Sequence, residues 1–185
     1  MGRKSFTLIE LLVVIVIIAI LAAIIAPHAF RAIEKAKISA IIGDIHSIKS
    51  AATAYYADTG TWPPDCDYWS YSQSFCPGFL TDDGKPGWNG PYLEKWPEAK
   101  WASSFWGYLF SRKDCAYSWM NWGITWKGVP YLYCGLELLY IPLAYARKID
   151  LEIDGVIDDN AGIVAYGTYG GPTVVRVFIS RWGSF

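Results

Sequence analysis

Charged residues are scarce in this sequence, and glycine and proline are too few to dominate it, so that several classes of protein are excluded. Of the 185 residues 18% are charged, and the formal net charge is −1, so no global field attracts nucleic acid. The 17 glycines and 10 prolines are too few for a collagen-like or low-complexity chain. Hydrophobic residues make up 53%, which excludes a disordered chain because such chains are poor in apolar residues.

Catalytic motifs are also missing from the sequence. It has no Gly-rich phosphate loop and no Gly-x-Ser-x-Gly motif, and neither of its 2 histidines has an obvious nucleophile partner. We therefore expect no enzyme activity. The length allows one ordinary domain plus an appendage.

The apolar residues are concentrated near the N-terminus, where 11–26 is an unbroken apolar run. A helix needs about 20 apolar residues to cross a bilayer, with about 17 as the lower end. The segment 8–27 is therefore predicted to be one membrane span. Arg3 and Lys4 precede it, and positive charge before a first span favours a cytoplasmic N-terminus.

Glu10 is the one acid in this apolar stretch, and a carboxylate at membrane depth is a functional candidate because its burial costs free energy. The residues from Phe6 to Ile15, with the apolar run behind them and Pro27 at its end, resemble the N-terminal signature of type IV pilins and type II secretion pseudopilins. The resemblance implies that a prepilin peptidase cuts between Ser5 and Phe6 and methylates the new amino terminus. The family usually has glycine where this chain has Ser5.

The resemblance also implies a mode of assembly. Glu10 would pair with the Phe6 amine of a neighbouring subunit, because a charge in hydrocarbon is tolerated only when it is paired. The chain would first be a single-pass inner-membrane protein and then join a homopolymeric extracellular filament. The partners implied are the prepilin peptidase, an inner-membrane platform protein and an assembly ATPase. The fold implied is α+β, with a long N-terminal helix packed on a small antiparallel β-sheet.

Beyond Pro27, which should kink or locally melt the helix, the pattern becomes amphipathic. Six residues at spacings of three and four form one apolar stripe, namely Ile38, Ile41, Ile45, Ile48, Ala52 and Tyr55. A stop signal rich in Gly and Pro follows at 58–64. The predicted organisation is a leader at 1–5, a long helix at 6–59 and a head domain at 60–185.

All four cysteines follow the predicted helix, as Cys66, Cys76, Cys115 and Cys134. Their spacings do not fit zinc knuckles or C-x-x-C redox motifs. A membrane span with its positive flank inside places the cysteines outside the cytoplasm, where disulfides persist. Proximity favours the pairs Cys66–Cys76 and Cys115–Cys134, although four cysteines allow three pairings.

The head combines an irregular first part with regular elements further on. Residues 60–104 have little periodicity and predict a loop pinned by a disulfide. Strands are predicted at Gly107–Ser111, Tyr117–Trp122, Ile163–Gly167 and Thr173–Ser180. A short helix is predicted at Pro142–Ile153, ended by Gly155. The aromatic residues are expected to fill the core and the contacts between subunits.

An acidic stretch after this helix raises the question of calcium. Residues 150–158 match several positions of an EF-hand loop, but the twelfth position is Ala161, so an EF-hand is excluded. Asp158, Asp159 and Asn160 stay as calcium candidates, because the major pseudopilins that this chain resembles bind calcium near their C-terminal loop. The alternative is a solvated turn, and no other cofactor is expected.

Two further interpretations stay open beside the pilus subunit. One is a periplasmic pseudopilin of a type II secretion system, since Gly90-Pro91-Tyr92 is similar to the segment that enters the sheet in major pseudopilins. The other is a single-pass, membrane-anchored ligand-binding ectodomain that never polymerises and would keep residues 1–5. Long loops and two predicted disulfides favour the surface-exposed pilus subunit.

Overall fold

The computed structural model describes residues 7–66, 76–98, 101, 108–112, 133–158, 162–168 and 173–181. Its elements in chain order are α1 (Leu8–Thr59), β1 (Tyr108–Arg112), β2 (Tyr133–Ile141), α2 (Leu143–Asp154), β3 (Val164–Thr168) and β4 (Thr173–Arg181). The predicted α+β class is confirmed. The chain forms two compact units that divide between Lys37 and Ile38, within α1 and not at the helix end.

The first part of α1 is apolar on every face. It contains one stretch long and apolar enough to cross a membrane. The helix continues through Pro27 without interruption, so it does not melt there, and the predicted kink stays a prediction. Proline removes a single backbone hydrogen bond, and one such loss is tolerated in a long apolar helix.

The second part of α1 supplies one wall of the core of the head. All six residues of the predicted stripe are buried, together with Ala51. Their spacing of three and four places them on one face, which packs into a cluster with the sheet and with α2. The predicted stripe is confirmed.

The sheet is four-stranded and antiparallel, with the order β1-β2-β4-β3. The structure confirms the strands predicted at the positions of β1, β3 and β4. Strand β2 was not predicted, although it lies between β1 and β4 in the sheet. Gly135 and the helix-favouring run Leu136–Leu139 weaken its strand signal. Its register with β4 shifts between Leu138 and Ile141, where Tyr140 has a φ of 59°.

Helix α2 is confirmed, with each of its ends one residue after the predicted position. Pro142 precedes its first turn, and Gly155 closes it in the left-handed conformation, with a φ of 76°. The Gly155 N–H donates to the carbonyl oxygen of Leu151 at 3.0 Å. Ala146 and Ile149 are buried in the common core.

The segment between α1 and β1 is irregular in its described parts, as predicted. It nevertheless contributes side chains to the core. Its buried aromatic side chains are Trp62, Phe79 and Trp96. The predicted disulfide between Cys66 and Cys76 is confirmed. Cys66 also pairs with β1 through two backbone hydrogen bonds to Phe110, each 3.0 Å long.

One predicted disulfide and one predicted strand rest on residues outside the described ones. Cys115 and the side chain of Cys134 lie there, so the second disulfide stays a prediction. The strand expected at Tyr117–Trp122 stays a prediction as well.

Candidate functional site

The candidate assembly site begins at the N-terminal end of α1, where Thr7 and Glu10 bond each other reciprocally. The backbone N–H of Thr7 donates to Glu10 Oε2 at 2.8 Å, and the backbone N–H of Glu10 donates to Thr7 Oγ1 at 3.3 Å. The Thr7 hydroxyl also donates to Oε2, at 2.7 Å. This is a capping box, in which a Thr and a Glu three residues later satisfy two backbone donors that a helix start otherwise leaves open.

This capping role of Glu10 was not predicted from the sequence, although the spacing Thr-x-x-Glu is its recognised signal. The two described hydrogen bonds that the Glu10 carboxylate accepts both end at Oε2. Within the described residues Oε1 has no hydrogen bond, and the side chain is exposed. Ser5 and Phe6 lie outside the described residues, so the proposed cut and the proposed pairing partner stay predictions.

After the capping box, the large apolar side chains in the first part of α1 are exposed. From Leu8 to Ile25 each of them is between 46% and 81% exposed. A soluble monomer rarely exposes a contiguous apolar surface of this size. The segment therefore needs lipid or other apolar helices around it.

The head is fastened to α1 by tyrosine hydroxyls that donate to carboxylates. The three bonds are Tyr55 to Asp83 at 2.6 Å, Tyr92 to Asp58 at 2.8 Å and Tyr108 to Asp44 at 2.9 Å. Each bond joins α1 to a residue far along the chain. Burial and the facing carboxylate raise the pKa of Tyr55 to about 12. Burial and the Asp44 carboxylate likewise raise the pKa of Tyr108.

Carboxylates on α2 organise the residues that follow this helix. Asp150 Oδ2 accepts the backbone N–H of Asp158 at 2.7 Å. Asp154 Oδ2 accepts the backbone N–H groups of Ile163 and Val164, at 2.9 and 2.8 Å. Asp150 is fully buried, and its Oδ1 has no hydrogen-bond partner among the described residues. Burial raises the pKa of Asp150 and the Asp154 carboxylate adds to the rise, against the opposing effect of the Asp158 amide.

These carboxylates do not form a metal centre with one another. Among the described residues no group of three His, Cys, Asp or Glu side chains is placed to hold a metal ion. Asp158 follows α2, whereas Asp159 and Asn160 lie outside the described residues. The calcium site therefore stays a prediction.

Comparison with known families gives two matches along the chain. Residues 1–26 match the family described as the prokaryotic N-terminal methylation motif. Residues 32–113 match the family described as PilW, C-terminal. No curated protein and no solved structure is significantly similar to the chain.

The first match covers the capping box and the apolar part of α1, and the second covers the buried stripe, the irregular segment and β1. A methylation motif implies processing by a prepilin peptidase. The apolar helix behind it fits membrane anchoring before assembly. The chain is a pilin-like protein, with the methylation motif at its start and a PilW-like segment behind it.

Proposed function

We propose that this chain is a structural subunit of a type IV pilus-like extracellular filament. The subunit is inserted in the inner membrane, cut between Ser5 and Phe6, methylated on the new amino terminus and polymerised through α1. Its role is structural and not enzymatic. The observation that carries the proposal is the capped Glu10, at the start of an exposed apolar helix in a methylation motif. Among the described residues one of its carboxylate oxygens accepts no hydrogen bond.

The geometry of the cap supports the proposed pairing. Thr7 holds Glu10 through Oε2, so the side chain is fixed in the first turn before any partner arrives. Oε1 is the atom left for the Phe6 ammonium group of a neighbour. A charged pair in an apolar surrounding is far more stable than either charge alone, so the pairing would set the stagger between subunits.

The apolar part of α1 supports the same sequence of events. In the membrane its side chains contact lipid, and in the filament they contact the helices of other subunits. Both surroundings are apolar, so the transfer keeps these side chains out of water. The platform protein and the assembly ATPase implied by the family would drive the extraction from the membrane.

The first test is N-terminal sequencing and intact mass of the protein in sheared extracellular filaments. A mature chain that starts at methylated Phe6 supports the proposal. A chain that starts at Met1 and stays in membranes overturns it and favours the anchored ectodomain. A cut chain confined to the cell envelope favours a pseudopilin of a type II secretion system.

The role of Glu10 is tested by separating its charge from its capping. Glu10→Gln keeps a side-chain oxygen that can accept the Thr7 N–H but removes the charge, so we expect a processed protein that does not assemble. Thr7→Val is the matched control, since it removes the hydroxyl of the cap and leaves the charge. We expect it to assemble. Wild-type filament yield from Glu10→Gln contradicts the pairing.

A further inference from the structure

A second exposed apolar surface lies on the head, at the end of α2 and after it. Its large side chains are Leu151, Val156, Ile157 and Ile163, which are between 43% and 64% exposed. Exposed Glu152 lies beside Leu151 on α2. We call these five residues the acidic apolar patch.

Two hydrogen bonds hold the parts of the patch together. The bond from the Asp158 N–H to Asp150 brings the residues at 156–158 back against α2. The bond from the Ile163 N–H to Asp154 brings the start of β3 to the end of the same helix. The apolar side chains therefore gather around the last turn of α2 instead of being scattered over the head.

The patch lies in a strongly acidic part of the sequence. Residues 150–159 contain five acids and no base, at Asp150, Glu152, Asp154, Asp158 and Asp159. Asp150 is fully buried, so the exposed acids among the described residues of this stretch are Glu152 and Asp158, and an anionic lipid surface is repelled by their charge. A partner that is both apolar and basic is favoured.

The chain itself carries a surface of that kind on α1, after the membrane-length segment. Phe30 and Ile33 are 72% and 53% exposed, and Lys37 is exposed as well. The spacing of three and four puts all three on one face of the helix. With three bases and one acid, the segment 28–37 carries a net charge of +2 when His28 is neutral.

We propose that the acidic apolar patch of one copy receives the Phe30–Ile33–Lys37 face of a second copy, with Lys37 beside Glu152. This proposal rests on the filament function. The two surfaces are different parts of one chain, so the contact is heterologous, and a heterologous contact that does not close produces an open helical polymer. Such a contact also covers apolar side chains on both copies that are otherwise left in water.

The contact is tested by cross-linking in isolated filaments of the full-length protein. Ile33→Cys combined with Ile157→Cys and treated with a short bismaleimide should give a ladder of dimers and higher species. The matched control is Ile33→Cys with Leu143→Cys, since Leu143 is an exposed apolar residue at the opposite end of α2. The native cysteines are present in both variants. A ladder no stronger than the control overturns the contact.

A charge exchange tests the pair at its edge. Lys37→Glu and Glu152→Lys should each lower filament yield about fivefold, and the double exchange should restore it to within about twofold of wild type. Retained membrane level and an intact Cys66–Cys76 bond show that the variants fold. Failure of the double exchange to restore the yield contradicts the pairing of Lys37 with Glu152.

The outcomes separate this proposal from the filament function. Wild-type protein that makes no filaments overturns both. Normal filaments from wild type and all variants, without the specific cross-link, overturn the interface alone. A cross-link from Ile157→Cys to a different polypeptide, identified by mass spectrometry, shows that the patch serves another partner and also overturns it.

Discussion

Replacing Tyr108 with phenylalanine should weaken the head through the loss of one hydroxyl. Tyr108 is 1% exposed, and its hydroxyl donates to Asp44 Oδ2 on α1 at 2.9 Å. The ring packs edge-on against Trp101 with centroids 5.0 Å apart, and Trp96 donates to the Tyr108 backbone carbonyl oxygen. Phenylalanine keeps the ring and the carbonyl, so Tyr108→Phe isolates the bond to Asp44.

The size of the loss follows from the acceptor and its surroundings. A hydrogen bond to a charged group contributes about 1.5–3 kcal/mol. Asp44 is only half-buried and regains some water when the hydroxyl is removed, so we expect a loss of about 1–2 kcal/mol in the free energy of unfolding. With a urea dependence of about 2 kcal/mol per M, the unfolding midpoint should fall by roughly 0.5–1 M.

The assay is urea unfolding of the full-length chain in detergent, followed by tryptophan fluorescence. Tyr92→Phe is the control at an exposed site: it removes the bond to Asp58 and the bond that the same hydroxyl accepts from the Asn89 N–H at 3.0 Å. Its loss should stay below about 0.5 kcal/mol, since water replaces both exposed bonds. Equal midpoints for the two variants would refute the reasoning that burial makes the Tyr108 bond valuable. A double-mutant cycle with Asp44→Asn should give a coupling of about 1 kcal/mol.

Three further predictions use the same assay or a simple titration. Gly162 has a φ of 86°, and a Cβ there would collide with the Asp154 carboxylate, so Gly162→Ala should cost about 2–3 kcal/mol through strain and two weakened hydrogen bonds. Gly155→Ala, at a φ of 76° with open space, is its control and should cost about 1 kcal/mol. Asp150→Asn should raise the unfolding midpoint at pH 7. The folded-state pKa of this carboxyl is raised, so its ionised form destabilises the fold above that pKa, and the gain should vanish below the ordinary value of 3.8. The raised pKa of Tyr55, about 12, means that the stability from its protonated phenol is complete below pH 10 and is lost between pH 10 and 12. Tyr55→Phe should therefore remove one step near pH 12 from the absorbance titration at 295 nm, and an unchanged titration would contradict the assignment.

Local patterns in the sequence were sufficient for the helices. The stripe from Ile38 to Tyr55 was predicted from residue spacing alone, and all its residues are buried. The second helix is bounded by Pro142 and Gly155, two residues whose backbone preferences act within one turn. Strand β4 alternates and is rich in β-branched residues, so its signal is also local.

Strand β2 could not be predicted in the same way. Leu136–Leu139 reads as a helix-favouring run, and only pairing with β1 on one side and β4 on the other makes it a strand. The partners of its residues lie tens of positions away along the chain. Tertiary contacts decide such a segment, and a single sequence does not display them.

The site was predictable in its chemistry and less so in its geometry. Glu10 was identified from its place in an apolar run, but its bond to Thr7 was missed although the capping signal lies in the same four residues. The bond from Tyr108 to Asp44 spans 64 positions and has no sequence signal at all. Interactions within one turn can be read from spacing, whereas interactions between elements depend on the fold.

The apolar pattern of α1 extends further than the burial of its side chains. Ile38, Ile41 and Ile45 are at most 7% exposed, whereas Phe30 and Ile33, which precede the predicted stripe, are more than half exposed. Ile33 and Ile38 are five positions apart, which interrupts the spacing of three and four. Exposed apolar area costs about 25 cal/mol per Å², so selection for a stable monomer would favour polar residues at 30 and 33. The proposed contact with a second copy would remove this exposed apolar area from water.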